Sequence, residues 1–303
     1  MRRIALLFLI PLSAASLAAC GAGSAGSATT TTRPPVSEPP VVSAAYGSSS
    51  TITFPSPVPQ KTFEAKVLDR GTGSVVAKGD LLVANYVGQI WAQKVFDSSF
   101  ARHTPAAFPI GVGQVVPGWD KGLVGQTIGS RILLVLPPAD GYGAQGNTQA
   151  GIKGTDTLVF VVDLLGAYSA KVAGDPAAVP QKLPAGLPVI HGALGVPPTM
   201  TIPKGLKAPK KEMSYLVAKG HGAIVQAGMV VLQYVIYSFA GKFEESTWQK
   251  GIPDGEVIGS TAQPSVLDKL MGLTVGSRVL LELPAGGSNP AVAVSVDIVA
   301  QPS

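Results

Sequence analysis

Few residues in this chain could make or break bonds. The three histidines, His103, His191 and His221, stand near no carboxylate or serine in a spacing that would build a nucleophile. Cys20 is the only cysteine, so neither a disulfide nor a His/Cys metal cluster is expected, and no cofactor is implied. Glycine pairs such as Gly111-Val112-Gly113 are not followed by a helix with phosphate-cradling spacing and read as turn residues. What stands out is a set of aromatic and aliphatic side chains at turns and strand ends, among them Tyr86, Phe96, Phe108, Trp119 and Phe160. Aromatic residues most often fill a core. A pocket differs from a core in having polar groups converge at its edge.

Short strands must hold these residues. Glycine (36) and proline (26) interrupt the helix formers every few positions, which favours strands joined by tight turns. Leu81-Val83-Asn85, Leu82-Ala84-Tyr86, Ile132 to Leu136 and Leu158 to Leu165 have the period and β-branched content of strands, and only Gly118 to Val124 looks helical. The pattern predicts an antiparallel sheet that buries its apolar face on one short helix or on itself. At 303 residues, with 46% hydrophobic and 14% charged side chains, the chain can fill two cores. The net charge of +5 is spread out except at Lys204, Lys207, Lys210 and Lys211, which read as a solvated linker, so nucleic acid is not an expected partner.

The two cores are announced by an internal repeat. Thr51-Ile52-Thr53-Phe54-Pro55 returns as Thr199-Met200-Thr201-Ile202-Pro203, Gly71-Thr72-Gly73 as Gly220-His221-Gly222, and Tyr86 as Tyr234. Phe96 pairs with Phe243 by the same sliding match, and Thr127 to Arg131 with Thr274 to Arg278. The organisation expected is a signal peptide over 1–20, a disordered Gly/Ser/Thr/Pro tether over 21–48, a first domain over 49–170, a Pro-rich linker over 171–194 and a second domain over 195–303.

Residues 66 to 168 resemble the FKBP-type peptidyl-prolyl cis-trans isomerases throughout. The resemblance is carried in order by Val83 to Gly88, Val95 to Ser99, Phe108-Pro109-Ile110-Gly111, Val115-Val116-Pro117-Gly118-Trp119-Asp120-Lys121-Gly122-Leu123, Gly129-Ser130-Arg131, Gly141-Tyr142-Gly143 and Leu158-Val159-Phe160. It implies an α+β, mainly antiparallel β fold, a half-barrel sheet wrapped on one short helix, in two tandem copies. It also implies an isomerase pocket with Trp119 as floor, Tyr86, Phe96, Val115, Val116 and Phe160 as walls, and Tyr142 and Ile152 at the rim. The Tyr142 hydroxyl and the Ile152 backbone N–H are the donors expected for substrate carbonyls, Asp97 polarises the site, Arg102 pairs with Asp97, and Phe108 helps to bind substrate. The chain departs from the family at Ala106, where an aromatic is usual, and in the loop after Tyr142. In the second copy Leu267 stands for Trp119, Val294 for Phe160 and Glu244 for Asp97, and the Tyr142 loop is missing, so that copy is expected to fold without activity.

The N-terminus resembles a bacterial lipoprotein signal: Arg2-Arg3, the apolar run Ile4 to Leu12, then Leu17-Ala18-Ala19-Cys20. Acylation of Cys20 would hold the chain at the outer face of the cell membrane. The function implied is isomerisation of X-Pro bonds in exported polypeptides, with macrolides such as tacrolimus and rapamycin as further ligands. The alternative is a non-catalytic chaperone or binding module for proline-containing segments.

Overall fold

The computed structural model describes residues 37–302, so the signal segment, Cys20 and the tether up to residue 36 lie outside the described residues. The first half contains β1 (Val41–Val42), β2 (Ile52–Thr53), β3 (Glu64–Asp69), β4 (Leu81–Ile90), β5 (Val95–Ser98), β6 (Ala106–Pro109), helix α1 (Pro117–Leu123), β7 (Arg131–Leu136) and β8 (Leu158–Tyr168). Its main sheet is antiparallel in the order β3-β7-β8-β4-β5, with β6 paired to β4. Both faces are covered, which is why every residue of β7 is buried. Ile132, Leu134 and Leu136 pack with Trp119 and Leu123 of the helix, while Leu133 and Val135 pack on the other side with Ile52, Trp91 and Phe54.

The second half contains β9 (Val179–Pro180), β10 (Val189–His191), β11 (Thr199–Thr201), β12 (Met213–Lys219), β13 (Gly228–Ser238), β14 (Phe243–Ser246), helix α2 (Thr247–Lys250), β15 (Asp254–Ile258), β16 (Arg278–Leu283) and β17 (Val292–Ala300). Its sheet runs β14-β13-β17-β16-β12-β9 with β15 on β13, the same plan as the first with β9 added at the edge. A 3₁₀ turn, Val266–Leu270, stands where α1 stands in the first half.

The repeated Thr-x-Thr motif now has a physical role. β1 pairs with β2, and β10 with β11, as a small hairpin laid on the outer face of each sheet. Ile52 and Phe54 plug the first sheet, and Met200 and Ile202 the second. Beneath each hairpin lies a buried ion pair. Arg131 donates to both carboxylate oxygens of Asp163 at 2.6 and 2.7 Å, and both side chains are 1% exposed. The remaining guanidinium protons go to the Ala44 carbonyl at 2.7 Å, the Ser48 carbonyl at 2.6 Å and the Ser50 hydroxyl at 3.0 Å. Arg278 does the same with Asp297, Ala193 and Val196. Ion pairs out of water persist only when the remaining donors are satisfied, and each hairpin supplies those acceptors.

This corrects two boundaries. The expected tether does not run to residue 48, since Val41–Val42 pair, Tyr46 donates to the Leu164 carbonyl and Gly47 donates to Asp163. The expected 171–194 linker is likewise bound into the second half through β9, β10 and the amides of Gly174 and Asp175, which donate to Asp297 and to the Gly276 carbonyl. Composition alone reads both segments as Pro- and Gly-rich spacer, because several of the groups that hold them, Asp163, Leu164, Gly276 and Asp297 among them, lie a hundred or more residues away.

The two halves pack through equivalent positions. Leu81 and Val83 of β4 meet Met229 and Val231 of β13, with Ala107, Leu165 and Val299 around them. Replacing Asp163 by Ala leaves Arg131 charged, buried and unpaired, and should cost about 3–5 kcal/mol in urea unfolding of the full chain. Asp297→Ala should cost a similar amount, and a loss under about 1 kcal/mol at either site would refute this account of the pairs.

Candidate functional site

The site is assembled around α1. Pro117 takes the first helical position, where its missing N–H has no partner to lose. Asp120 in the first turn accepts from the amides of Gly111 at 2.6 Å and Gly113 at 2.8 Å. Both glycines have positive φ, +78° and +76°, and that left-handed geometry turns the two amides onto one carboxylate. Gly118 and Gly122 let the helix settle on β7: a Cβ at residue 118 would stand 2.1 Å from Leu136 Cδ2, and one at residue 122 would stand 2.5 Å from Leu134 Cδ2. Lys121 pairs with Asp140, which ties the helix to the loop carrying Tyr142.

Trp119, held in this way, is 3% exposed and forms the floor of an open cavity of about 440 Å³. Three rings meet it edge to face: Tyr86 at 5.3 Å, Phe108 at 5.2 Å and Phe160 at 5.4 Å between centroids. Phe96 stands on Phe160 at 5.5 Å and 89°. Gly88 on β4 makes room for both, because a Cβ there would come within 2.8 Å of each ring. Val115, Val116, Asp97 and Tyr142 also line it, as does Gln114, which no feature of the sequence singled out.

The edge of the cavity is polar and interlocked. Tyr86 donates to Asp97, Arg102 pairs with Asp97, and Arg102 also donates to the Tyr86 oxygen at 3.0 Å with its guanidinium carbon 5.6 Å from the ring centroid. Burial, and then the hydrogen bond to Asp97, push the Tyr86 phenol up to about 12. Tyr142 is 39% exposed and its hydroxyl has no partner among the described residues, so it is free to donate outward. Arg102 stands behind Asp97 and does not line the cavity.

Ile152 is a correction. It is 3% exposed in the core, does not line the cavity, and its N–H already donates to the Asn147 carbonyl at 2.8 Å. The two residues form a bridge that closes the loop after Tyr142. Val116 offers what Ile152 does not. It lines the cavity, sits at the N-cap of α1, and its N–H makes no hydrogen bond among the described residues. The signal was available in the sequence: the residue before a helix-opening Pro stands among the amides that a helix leaves unpaired. Ala106 pairs with Ala84 and lies off the cavity.

The second half has Leu267 on its 3₁₀ turn where the first half has the indole that floors the cavity. Strand pairing corrects the match made by sliding the sequence. Ser98 faces Val87 as Ser246 faces Val235, and Asp97 faces Gly88 as Glu245 faces Ile236. Glu245, not Glu244, therefore stands for Asp97, and Glu244, not Phe243, stands for Phe96. Equal counting from the pairs Leu82–Phe108 and Val230–Glu256 puts Glu256 in the place of Phe108. Leu267 and Val294 do replace Trp119 and Phe160, and Ile236 replaces Gly88, filling the space that two rings use in the first half. Tyr234 lies 3.0 Å from Glu245 Oε1 and 3.1 Å from Asp254 Oδ2. Burial first, then these carboxylates, hold its phenol well above the ordinary range. No counterpart of the Tyr142 loop exists, since β16 returns into β17 through a bridge between Gly286 and Asn289.

The family model described as FKBP-type peptidyl-prolyl cis-trans isomerase matches residues 73–165. FK506-binding protein of Streptomyces anulatus is 36% identical over 115 residues, covering 38% of this chain and 93% of that protein. FK506-binding protein 2 of Dictyostelium discoideum is 46% identical over 88 residues, 29% of this chain, and the chain spans only 65% of its length. For FK506-binding protein 2 of Yarrowia lipolytica, 41% identical over 88 residues and 29% of this chain, it spans 60%. Among solved structures, AtFKBP13 aligns at 34% identity over 34% of this chain and 91% of that one, with a TM-score of 0.32.

The electrostatics of the edge can be tested by titration. Tyr86 ionises near 10 when unfolded and at about 12 when folded, so the stability contributed by its neutral form is present below pH 10 and is lost as pH climbs toward 12. In Asp97→Asn the Tyr86 transition should move down from about 12 yet stay above 10, since burial, the larger cause, remains. An ultraviolet difference titration with Tyr86→Phe as control reads this, and an unmoved transition would refute the coupling.

Proposed function

The chain belongs to the FKBP-type peptidyl-prolyl cis-trans isomerase family, and from that premise we propose that its first half isomerises X-Pro bonds in exported polypeptides. The supporting observation is the open cavity floored by Trp119, with a free phenol and a free amide at its edge. A prolyl bond resists rotation by roughly 18–20 kcal/mol because of amide resonance, and no bond need be made or broken to relieve it. The planar amide is more dipolar than its twisted form, so a dry wall of rings favours the twist relative to the ground state. Tyr142 and the Val116 N–H are placed to hold substrate carbonyls, and Asp97, fixed by Arg102 and Tyr86, polarises the edge without moving a proton. Lowering the barrier by about 7 kcal/mol would accelerate isomerisation roughly 10⁵-fold.

The second half is read as a degenerate copy that folds and does not catalyse. Its equivalent of the cavity holds carboxylates where the first half holds Phe96 and Phe108. Macrolides such as tacrolimus and rapamycin are proposed ligands of the first cavity, by analogy with relatives named for binding FK506. Cys20 is the proposed lipid anchor, which places the enzyme at the outer face of the cell membrane. Among the described residues no helix is long and apolar enough to cross a membrane.

Isomerisation of a proline tetrapeptide by the full chain should exceed the uncatalysed rate and fall about tenfold in Tyr142→Phe, the scale of one lost substrate hydrogen bond. Trp119→Leu with Tyr142→Phe should bring it to background, because the second half contributes nothing. An unaltered protein no faster than the solvent reaction would leave a binding module only. Expressed in a bacterial host, Cys20→Ser should move the chain from the membrane to the soluble fraction, and a variant that stays with the membrane would refute the anchor.

A further inference from the structure

The second half touches the first beside the cavity. Strand β15 lies against β6 so closely that a Cβ at residue 255 would stand 2.5 Å from Ala107 Cβ and 3.6 Å from Leu81 Cδ2. β6 carries Phe108, one wall of the cavity, and the loop ahead of it carries Arg102, which is paired with Asp97 at the cavity's edge. Beyond β15, Ser260 and Gln263 come beside this loop. Between the two runs a groove of about 550 Å³, lined by Arg102, Thr104, Pro105, Val257, Ser260 and Gln263, begins on the far side of the Asp97–Arg102 pair.

Resting on the isomerase reading, we propose that this groove holds the residues that flank the proline, so that the second half reads the client chain while the first half twists it. Three features favour an extended polypeptide as occupant. The groove adjoins the cavity, with the Asp97–Arg102 pair between them, so a chain whose proline lies over Trp119 reaches the groove by crossing that pair. Its lining pairs an apolar contact, Val257 at 40% exposure, with the side chains of Ser260 and Gln263, which have no hydrogen-bond partner among the described residues and can bond a peptide backbone. Its one charged side chain, Arg102, is already bonded to Asp97 and to Tyr86, so the groove does not select an acidic ligand. The Glu and Asp residues that replace the cavity in the second half do not disturb this role, because it uses the strand edge and loop and not the core of that half.

The test compares two peptides sharing one Leu-Pro bond, a tetrapeptide that fills only the cavity and a twelve-residue version with Ala and Ser flanks, on the full chain. In the double variant Val257→Asp, Gln263→Ala the ratio of kcat/KM for the long over the short peptide should fall about tenfold, the combined scale of one apolar contact and one hydrogen bond. An unchanged ratio overturns the proposal, and so does an equal loss on both peptides. Should the unaltered protein fail to accelerate even the tetrapeptide, the isomerase reading falls by itself. The groove is then judged by fluorescence anisotropy of the long peptide, which should bind about tenfold more weakly to the double variant, with equal binding overturning it.

Discussion

Helix α1 rests on β7 at a distance that only glycine permits, and the site follows from that contact. Leu136 and Leu134 occupy the volume that side chains at residues 118 and 122 would need. A seven-residue helix has no stability of its own in water, so its position is set wholly by tertiary contacts. Two charges on it fix the rest of the rim. Asp120 gathers the Gly111 and Gly113 amides on one side, and Lys121 holds Asp140 and the Tyr142 loop on the other. Trp119 lies between these anchors, so sheet, preceding loop and following loop are all referred to one indole.

The two halves share the strand order and the buried Arg–Asp pair under a hairpin, yet differ in what the sheet's inner face can bind. The difference is local and steric before it is chemical. At Gly88 the backbone leaves space that Phe96 and Phe160 enter, whereas Ile236 fills that space itself and Val294 needs none of it. With the rings gone, Tyr234 stands in the place of Tyr86 but is only partly buried, and it answers to Asp254 as well as to Glu245, which Lys250 pairs as Arg102 pairs Asp97. A fold plan held by its outer hairpin and buried pair thus tolerates the loss of its site, because those contacts lie on the face of the sheet away from α1.

Much of the site was legible in the sequence, for a physical reason. Trp119, Tyr86, Phe96, Phe160 and Tyr142 sit in short motifs whose local geometry, a Pro-opened helix or a glycine turn, is decided within a few residues. Ile152 was misread because the bridge that takes its N–H depends on Asn147 folding back across a loop. Glu244 and Phe243 were misplaced because matching phenylalanine to phenylalanine slides the second copy by one residue, and a shift of one residue in an alternating strand exchanges the two faces. The ends of the tether and linker were missed because they are ordered by a guanidinium far along the chain.

By itself the sequence determined that the chain folds as two antiparallel sheets, where the aromatic residues fall on them and that one set has a polar edge, since period, turn residues and repeats are local properties. Only the tertiary structure decided which amides remain free at the cavity, which carboxylate stands beside Tyr234, and that β15 of one half abuts β6 of the other. Those outcomes depend on which groups become partners once distant segments meet, and hydrogen bonds and steric contacts are settled by distance in space, not by position along the chain.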